Sequence, residues 1–140
     1  MKGFVRHTDD YEWVDLAGHK SSALTKLLVN PHNTGNQQID FMVSTYAPQG
    51  HAVEHIHENR HECFYFIAGT GVFDLDGVRH RIGPGSVVYV PPLVKHQIIN
   101  TGFEYLTFVV TGSALEMEFY EDYHGYFIDP AKHAPDHGDS

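Results

Sequence analysis

The most constraining feature of this sequence is a series of short apolar runs, rich in Val, Ile, Phe, Tyr and Thr, that are bounded by Gly, Pro or Asn. No long segment repeats apolar residues at the spacing of a helix face. Short runs of this composition, separated by turn residues, are typical of the strands of sandwiches and barrels. The pattern predicts an all-β domain with strands over residues 24–29, 39–46, 52–57, 62–68, 71–75, 78–82, 86–90, 95–100 and 104–111.

The segments between these runs carry turn chemistry. Asp76 and Gly77 separate two predicted strands and form the dipeptide that favours a two-residue hairpin. Residues 29–36 form a loop by composition, and the stretches 83–86 and 90–93, rich in Gly and Pro, mark two further breaks.

The two ends of the chain differ from this central region. Residues 1–23 are mostly polar, which predicts an N-terminal arm that packs across a barrel formed by residues 24–112. Residues 113–140 begin as an acidic and aromatic segment, predicted to be a short helix or an extended tail, and end in a stretch that is expected to be disordered. The aromatic side chains of this segment are Phe119, Tyr120, Tyr123, Tyr126 and Phe127.

Composition narrows the classes of function. A length of 140 residues fits one domain, and a formal net charge of -9 with neutral histidines argues against a nucleic-acid binder. The single cysteine, Cys63, excludes an internal disulfide and is compatible with a reducing compartment. No apolar run is long enough to span a membrane and no signal-peptide pattern opens the chain. We therefore expect a cytoplasmic protein whose partner is a small molecule.

Residues 55–62 contain three histidines and two glutamates, directly before a predicted buried strand. His55 and His57 are two apart, so on a strand they project from the same face. A hairpin turn would bring Glu62 beside them, and His96 opens a later strand. Three imidazoles and a carboxylate suit Mn, Fe, Co, Ni, Cu or Zn. Two histidines at this spacing also occur by chance on solvated strands.

Two longer motifs around these residues resemble those of the cupin superfamily of small β-barrels. The first is a pair of histidines one residue apart, then a Glu and a Gly at fixed intervals, and it matches at His55, His57, Glu62 and Gly69, with Gly50 before it. The second matches at Gly85, Pro91, His96 and Asn100. Leu93 replaces the interior glycine of the second motif. The resemblance extends over roughly residues 24–112.

The resemblance implies a single cupin barrel, also called a double-stranded β-helix or jelly roll. It implies that His55, His57, Glu62 and His96 bind one divalent transition metal, Mn, Fe, Ni or Zn, inside the barrel and leave open positions on it. Small cupins commonly pair as dimers, so we also expect a homodimer in which terminal segments or edge strands cross to the partner. The alternative for the aromatic C-terminal segment is a lid folded onto its own barrel.

Other residues near the motifs are weighed by strand alternation. His61 is a rival ligand that points to the opposite face from Glu62, and His51 is either exposed or close behind the site. Cys63 is expected to pack outside the pocket, and Arg60 to be solvated in the turn. The same alternation predicts that Phe64, Phe66 and Ile98 line the pocket. Asn100 is expected to satisfy backbone groups. The candidate acid or base groups are Tyr46, Tyr65, Tyr89, Tyr105 and the tyrosines of the C-terminal segment.

The fold hosts many activities and selects none. Our first hypothesis is a metalloenzyme that acts on a substrate with carboxylate, enol or carbonyl oxygens, by chemistry such as that of decarboxylases, oxygenases, cyclases or lyases in the superfamily. The second is a non-catalytic module that binds or senses a small ligand. The absence of an obvious interior Lys or Arg argues against the sugar-epimerase branch.

Overall fold

The computed structural model describes residues 2–121, and within them the chain folds into two antiparallel sheets. Strands are numbered in chain order. One sheet has the order β1-β4-β9-β6-β7 and consists of His19–Lys20 (β1), His51–Ala52 (β4), His96–Ile99 (β9), Gly71–Leu75 (β6) and Val78–Ile82 (β7). The other has the order β2-β3-β10-β5-β8 and consists of Ala23–Val29 (β2), Ile39–Tyr46 (β3), Leu106–Ser113 (β10), Glu62–Ala68 (β5) and Val87–Val90 (β8).

Helices are short in the described part of the chain: a 3-10 helix at Thr8–Asp10, one turn at Pro31–Thr34 (α1) and one at Met117–Glu121 (α2). Helix α1 lies within the stretch predicted as a loop, where Asn30 caps it and Gly35 ends it with a left-handed conformation. No helix among residues 2–121 is long and apolar enough to cross a membrane.

The inner faces of the two sheets pack against each other to form one core. Phe66 and Phe108 approach with 5.0 Å between ring centroids, and Phe73 of the opposite sheet meets Phe64, also at 5.0 Å. The alternation of buried and exposed residues along β5 is the pattern that one buried sheet face requires. The prediction of a single all-β barrel of two facing sheets is confirmed.

The hairpin between β6 and β7 forms as predicted. Leu75 pairs with Val78, and the intervening Asp76 and Gly77 have φ of 49° and 81°. Positive φ at both central residues is the geometry that this Asp-Gly turn favours.

The predicted strand over residues 52–57 is shorter in the structure. Only His51–Ala52 belongs to a strand, and His55 joins the sheet again through an isolated bridge to His96. Strand β1 was not predicted, because a strand of two residues in a polar segment carries no alternation.

Segments near both ends of the described chain contribute buried side chains to the barrel. Val14 is fully buried and bridges Thr25 of β2. The side chain of Tyr120 on α2 is also fully buried against its own barrel. Tyr123, Tyr126, Phe127 and the end predicted as disordered lie outside the described residues.

Candidate metal centre

Four side chains converge where strands of the two sheets begin. His55, His57, Glu62 and His96 each offer one ligand atom, and these atoms all lie within 4.8 Å of one another. Glu62 opens β5 in one sheet and His96 opens β9 in the other. The backbones of His55 and His96 exchange two hydrogen bonds of 3.1 and 3.0 Å, which fix one ring beside the other.

Backbone carbonyls orient two of the three rings. Nδ1 of His55 lies 2.9 Å from the carbonyl oxygen of Val53, and Nδ1 of His96 lies 3.0 Å from that of Val94. A carbonyl can only accept a hydrogen bond, so Nδ1 carries the proton in both rings. The neutral rings therefore present the lone pair of Nε2 to the cluster, the tautomer in which a histidine ligates a metal.

Two buried atoms of the cluster are without hydrogen bonds. Nε2 of His96 lies 3.0 Å from Oε1 of Glu62, yet neither atom has a partner of hydrogen-bond geometry in the described chain. Nε2 of His57 lies 3.6 Å from the same oxygen. A buried polar atom without a partner lowers the stability of a fold. A cation shared by these nitrogen and oxygen atoms would supply the missing partner. The donor set thus fits a transition metal ion.

The ionisation of the cluster follows from burial and from its central carboxylate. Burial acts to raise the pKa of Glu62, but His96 and the Arg60 guanidinium outweigh it and lower that pKa to about 2. Burial lowers the pKa of His57 to about 4 and also lowers that of His55. Burial acts in the same direction on His96, but the adjacent Glu62 carboxylate leaves its pKa raised. At neutral pH the cluster therefore holds an ionised Glu62 and neutral rings of His55 and His57.

Arg60 is buried rather than solvated, so the expectation for this residue is wrong. Its Nη1 and Nη2 donate to the two carboxylate oxygens of Asp40 at 2.8 and 3.0 Å, and its Nε lies 3.1 Å from Oε2 of Glu62. Nη1 also donates to the backbone carbonyl of Ser113. Local sequence patterns do not reveal this burial, because the partners of Arg60 lie far away along the chain. Because its charge is paired with the carboxylates of Asp40 and Glu62, Arg60 is not available to bind a phosphate group.

The cluster opens into a cavity of about 260 Å³ between the sheets. Phe64 and Ile98 line it, as the alternation predicted, whereas Phe66 packs in the core and is not among its lining residues. Leu115 and Phe119, from the segment that leads into α2 and from α2 itself, close another part of the wall.

His19 also lines this cavity, and sequence reasoning missed it. Its ring meets Tyr46 edge-on with 5.4 Å between centroids, and its Nε2 lies 3.4 Å from the Tyr46 hydroxyl. Nδ1 is buried and has no partner of hydrogen-bond geometry in the described chain. Burial lowers the pKa of His19 although the Ala23 backbone acts against this, so the ring is neutral at pH 7. His19 lies in the predicted arm, where no alternation assigns a face.

The remaining candidates lie outside the cluster. Nδ1 of His61 contacts the hydroxyl of Tyr89 at 2.7 Å, and Nδ1 of His51 contacts the Gln49 carbonyl at 3.0 Å. Cys63 is exposed. Tyr65, Tyr89 and Tyr105 are exposed too, whereas Tyr46 lines the cavity.

Two residues of the second motif keep the turns around His96 in place. Asn100 is fully buried and donates to the carbonyls of Tyr46 and Glu104, both at 2.8 Å, as expected of a residue that satisfies backbone groups. Leu93 has φ of 70°, the left-handed conformation that a glycine adopts without strain. Its amide donates to the carbonyl of His57 at 2.8 Å, so the turn keeps the shape that the motif's glycine would give.

Two antiparallel sheets with three histidines and one glutamate at their junction define a small β-barrel with a candidate metal centre. Residues 42–112, half of the chain, match the family model of the cupin domain. The chain therefore belongs to the cupin family, as its two motifs indicated.

Two curated proteins are similar in sequence to this chain over part of their length. Protein SchB of Streptomyces halstedii is 31% identical over 77 residues, which cover 55% of this chain and 56% of that protein. An uncharacterized protein of Methanocaldococcus jannaschii is 33% identical over 48 residues, 34% of this chain and 38% of that protein. The chain thus spans about half or less of the length of these curated relatives.

Solved structures share the whole fold. A predicted oxalate decarboxylase from Thermotoga maritima superposes with a TM-score of 0.72 at 24% identity, over 80% of this chain and 100% of that one. The polyketide cyclase RemF from Streptomyces resistomycificus gives a TM-score of 0.68 at 22% identity, over 86% of this chain and 92% of that one. Identities this low establish the fold alone.

Proposed function

We propose that this chain is a divalent-metal-dependent enzyme that acts on a small molecule bound through carboxylate, enol or carbonyl oxygens. The observation that carries the proposal is the pair of buried, unpartnered atoms Nε2 of His96 and Oε1 of Glu62, set among further imidazole nitrogens. His55, His57, Glu62 and His96 would hold Mn, Fe, Ni or Zn. When bound, the ion supplies Lewis-acid activation of substrate oxygens or, if it is redox-active, dioxygen chemistry.

The cavity restricts the substrate. A volume of about 260 Å³ is smaller than that of most drug-sized ligand pockets. Phe64 and Ile98 give the walls apolar surface, and the guanidinium of Arg60 is already paired with Asp40 and Glu62. These features favour a small, largely apolar molecule over a phosphate or a sugar nucleotide.

His19 is the group we assign to proton transfer. Its neutral ring lines the cavity and can accept a substrate proton. Burial raises the pKa of Tyr46, which keeps that hydroxyl protonated beside Nε2 of His19. The pair can therefore hold a proton at the apolar cavity wall, apart from the ligand cluster.

The similar folds support decarboxylase or cyclase chemistry within this proposal, since one similar structure is a predicted oxalate decarboxylase and another a polyketide cyclase. The second candidate is a non-catalytic module that binds or senses a small ligand through the same centre. The intact cavity with a neutral histidine apart from the ligands favours the enzyme.

The test is elemental analysis of freshly purified protein, followed by an assay of the metal-loaded protein against a panel of small carboxylates and phenolic enols. Turnover that falls by about 10² or more in His19→Asn, with metal content unchanged, is the result expected for a general acid or base. Tight binding of a panel member without turnover would favour the binding module. Protein that neither contains nor takes up a divalent transition metal would refute the proposal.

We also propose that the chain forms a homodimer. Large exposed apolar patches often mark protein–protein interfaces. The outer face of the sheet that contains β5 and β8 carries a group of exposed apolar side chains: Phe41, Tyr65, Ile67, Val87 and Tyr89. Light scattering tests this: the dimer has twice the 15.8 kDa of the chain. Tyr65→Lys should dissociate it if the sheet face is the interface. Truncation at Glu116 should dissociate it if the C-terminal segment crosses instead, and a wild-type monomer contradicts both.

The exposed Cys63 favours a reducing compartment, and a cytoplasmic location is therefore part of the proposal.

A further inference from the structure

A continuous series of buried polar contacts joins the C-terminal helix α2 to the metal centre. The hydroxyl of Tyr120 donates to Oδ2 of Asp40 at 2.7 Å. Asp40 accepts two hydrogen bonds from Arg60, whose Nε lies 3.1 Å from Oε2 of Glu62. All four residues are buried, and Asp40 and Tyr120 are fully so.

The two carboxylate oxygens of Glu62 have different surroundings. Oε2 is held by Arg60, whereas Oε1 lies 3.0 Å from Nε2 of His96 and 3.6 Å from Nε2 of His57. Arg60 therefore fixes the rotation of the carboxylate, and that rotation determines which oxygen faces the histidines. Arg60 is in turn fixed by its two-pronged contact with Asp40, since a planar guanidinium and a carboxylate have one favoured arrangement.

Tyr120 completes this arrangement from outside the barrel motifs. Its hydroxyl also accepts the amide of Leu115 at 2.8 Å, so the same atom holds the turn before α2. Leu115 and Phe119 from this segment line the cavity. In this position, α2 and the turn before it form a wall of the cavity, and the Tyr120 hydroxyl contacts the carboxylate network.

We propose that Tyr120 is a positioning residue for the metal ligand Glu62, acting through Asp40 and Arg60, so that docking of α2 raises the metal affinity of the centre. This inference rests on the proposed metal centre. Because such coupling is reciprocal, metal binding must stabilise the docked helix by the same factor that docking contributes to metal affinity.

The first test is titration of full-length, metal-free protein with Co²⁺ in competition with a chelator. Tyr120→Phe removes one hydroxyl and is expected to weaken Co²⁺ binding by about tenfold, the lower end of the range for groups that support metal ligands. The visible absorption spectrum of the bound Co²⁺ should also change. Tyr11→Phe is the matched control, because it removes another buried tyrosine hydroxyl, one that donates to the Leu28 carbonyl away from the cavity.

The second test needs no variant. Hydrogen exchange in the wild-type protein should slow in the peptide that covers residues 113–121 when Zn²⁺ is added, although that segment contains none of the four ligands. Equal Co²⁺ affinities of Tyr120→Phe and Tyr11→Phe would overturn the inference, as would unchanged exchange in this peptide, while the metal centre itself would stand. A wild-type protein that binds neither ion refutes the centre and the inference together.

Discussion

Replacement of Arg60 by Met tests the buried ion-pair network directly. Arg60 is 4% exposed, Asp40 is 0% exposed and Glu62 is 7% exposed. Met retains much of the apolar stem of Arg but leaves both carboxylates without their cation. Removing one partner of a buried ion pair costs about 3–5 kcal/mol, because a charge is left buried without compensation. We expect the free energy of unfolding to fall by about this amount, a large part of the ~5–15 kcal/mol of a typical domain.

The assay is urea denaturation at pH 7 with excess chelator, so that metal binding does not contribute. Arg79→Met is the control, because Arg79 makes a similar two-pronged contact with Asp74 at 3.0 and 3.2 Å on the surface. An exposed pair of this kind contributes about 0–1 kcal/mol. A loss for Arg60→Met no larger than that for Arg79→Met would refute the reasoning.

The pH dependence of this loss separates charge from packing. Burial raises the pKa of Asp40, and the hydrogen bonds from Arg60 act against the rise, so removing Arg60 raises it further. Glu62, with its pKa lowered to about 2, stabilises the wild type above its unfolded pKa and loses that contribution as pH falls through the folded value. In the variant both carboxylates take up protons at higher pH. The difference in stability should therefore shrink from pH 7 towards pH 4, and a constant difference would indicate lost packing instead.

Three further predictions concern the centre and its turns. His96→Ala should lower bound metal at least tenfold in elemental analysis after dialysis, while His51→Ala should retain it, and equal retention would contradict the ligand assignment. Because the pKa of His96 is raised by Glu62, Zn²⁺ binding should release more protons at pH 6 than at pH 8.5, measured by calorimetry in two buffers of different ionisation enthalpy, and affinity should fall as pH falls. Leu93→Gly should raise stability by about 0.5–1 kcal/mol in thermal denaturation, because it relieves a left-handed conformation at an exposed position. A lower midpoint would mean that the Leu93 side chain makes contacts that outweigh the strain.

Local patterns were sufficient to predict most strands, and the two motifs singled out the four residues that the structure brings together. The regular strand ends at Ala52, before His55 and His57. Their rings still lie together in the cluster, because the bridge to His96 returns His55 to the sheet. The common side that the two-residue spacing predicts therefore depends on a bridge to a distant strand, which local alternation cannot reveal. The β6–β7 hairpin was predictable, because the adjacent residues Asp76 and Gly77 alone determine its two-residue turn.

The residues that surround the cluster were not predictable in the same way. Arg60 lies between polar neighbours, and its burial depends on Asp40 and Ser113, which no local pattern connects to it. His19 reaches the cavity because β1 pairs with β4, a contact of two residues that only the assembled sheet explains. The segment that contains Tyr120 was expected to be either a lid or a contact with a partner subunit. The Tyr120 side chain is buried, and its hydroxyl donates to the Asp40 carboxylate on β3. Each of these positions is set by contacts between distant parts of the chain.

The reciprocal bridge between His55 and His96 has a consequence for when the proposed metal centre could form. During synthesis, His55, His57 and Glu62 emerge well before His96, and three ligands on a nascent, flexible segment bind ions weakly and with little selectivity. His96 lies on β9, and the bridge to His55 places it beside the other three residues in the finished sheet. In the proposed metal centre, selection of the ion would thereby wait for the finished fold, whose fixed geometry could discriminate among the available metals.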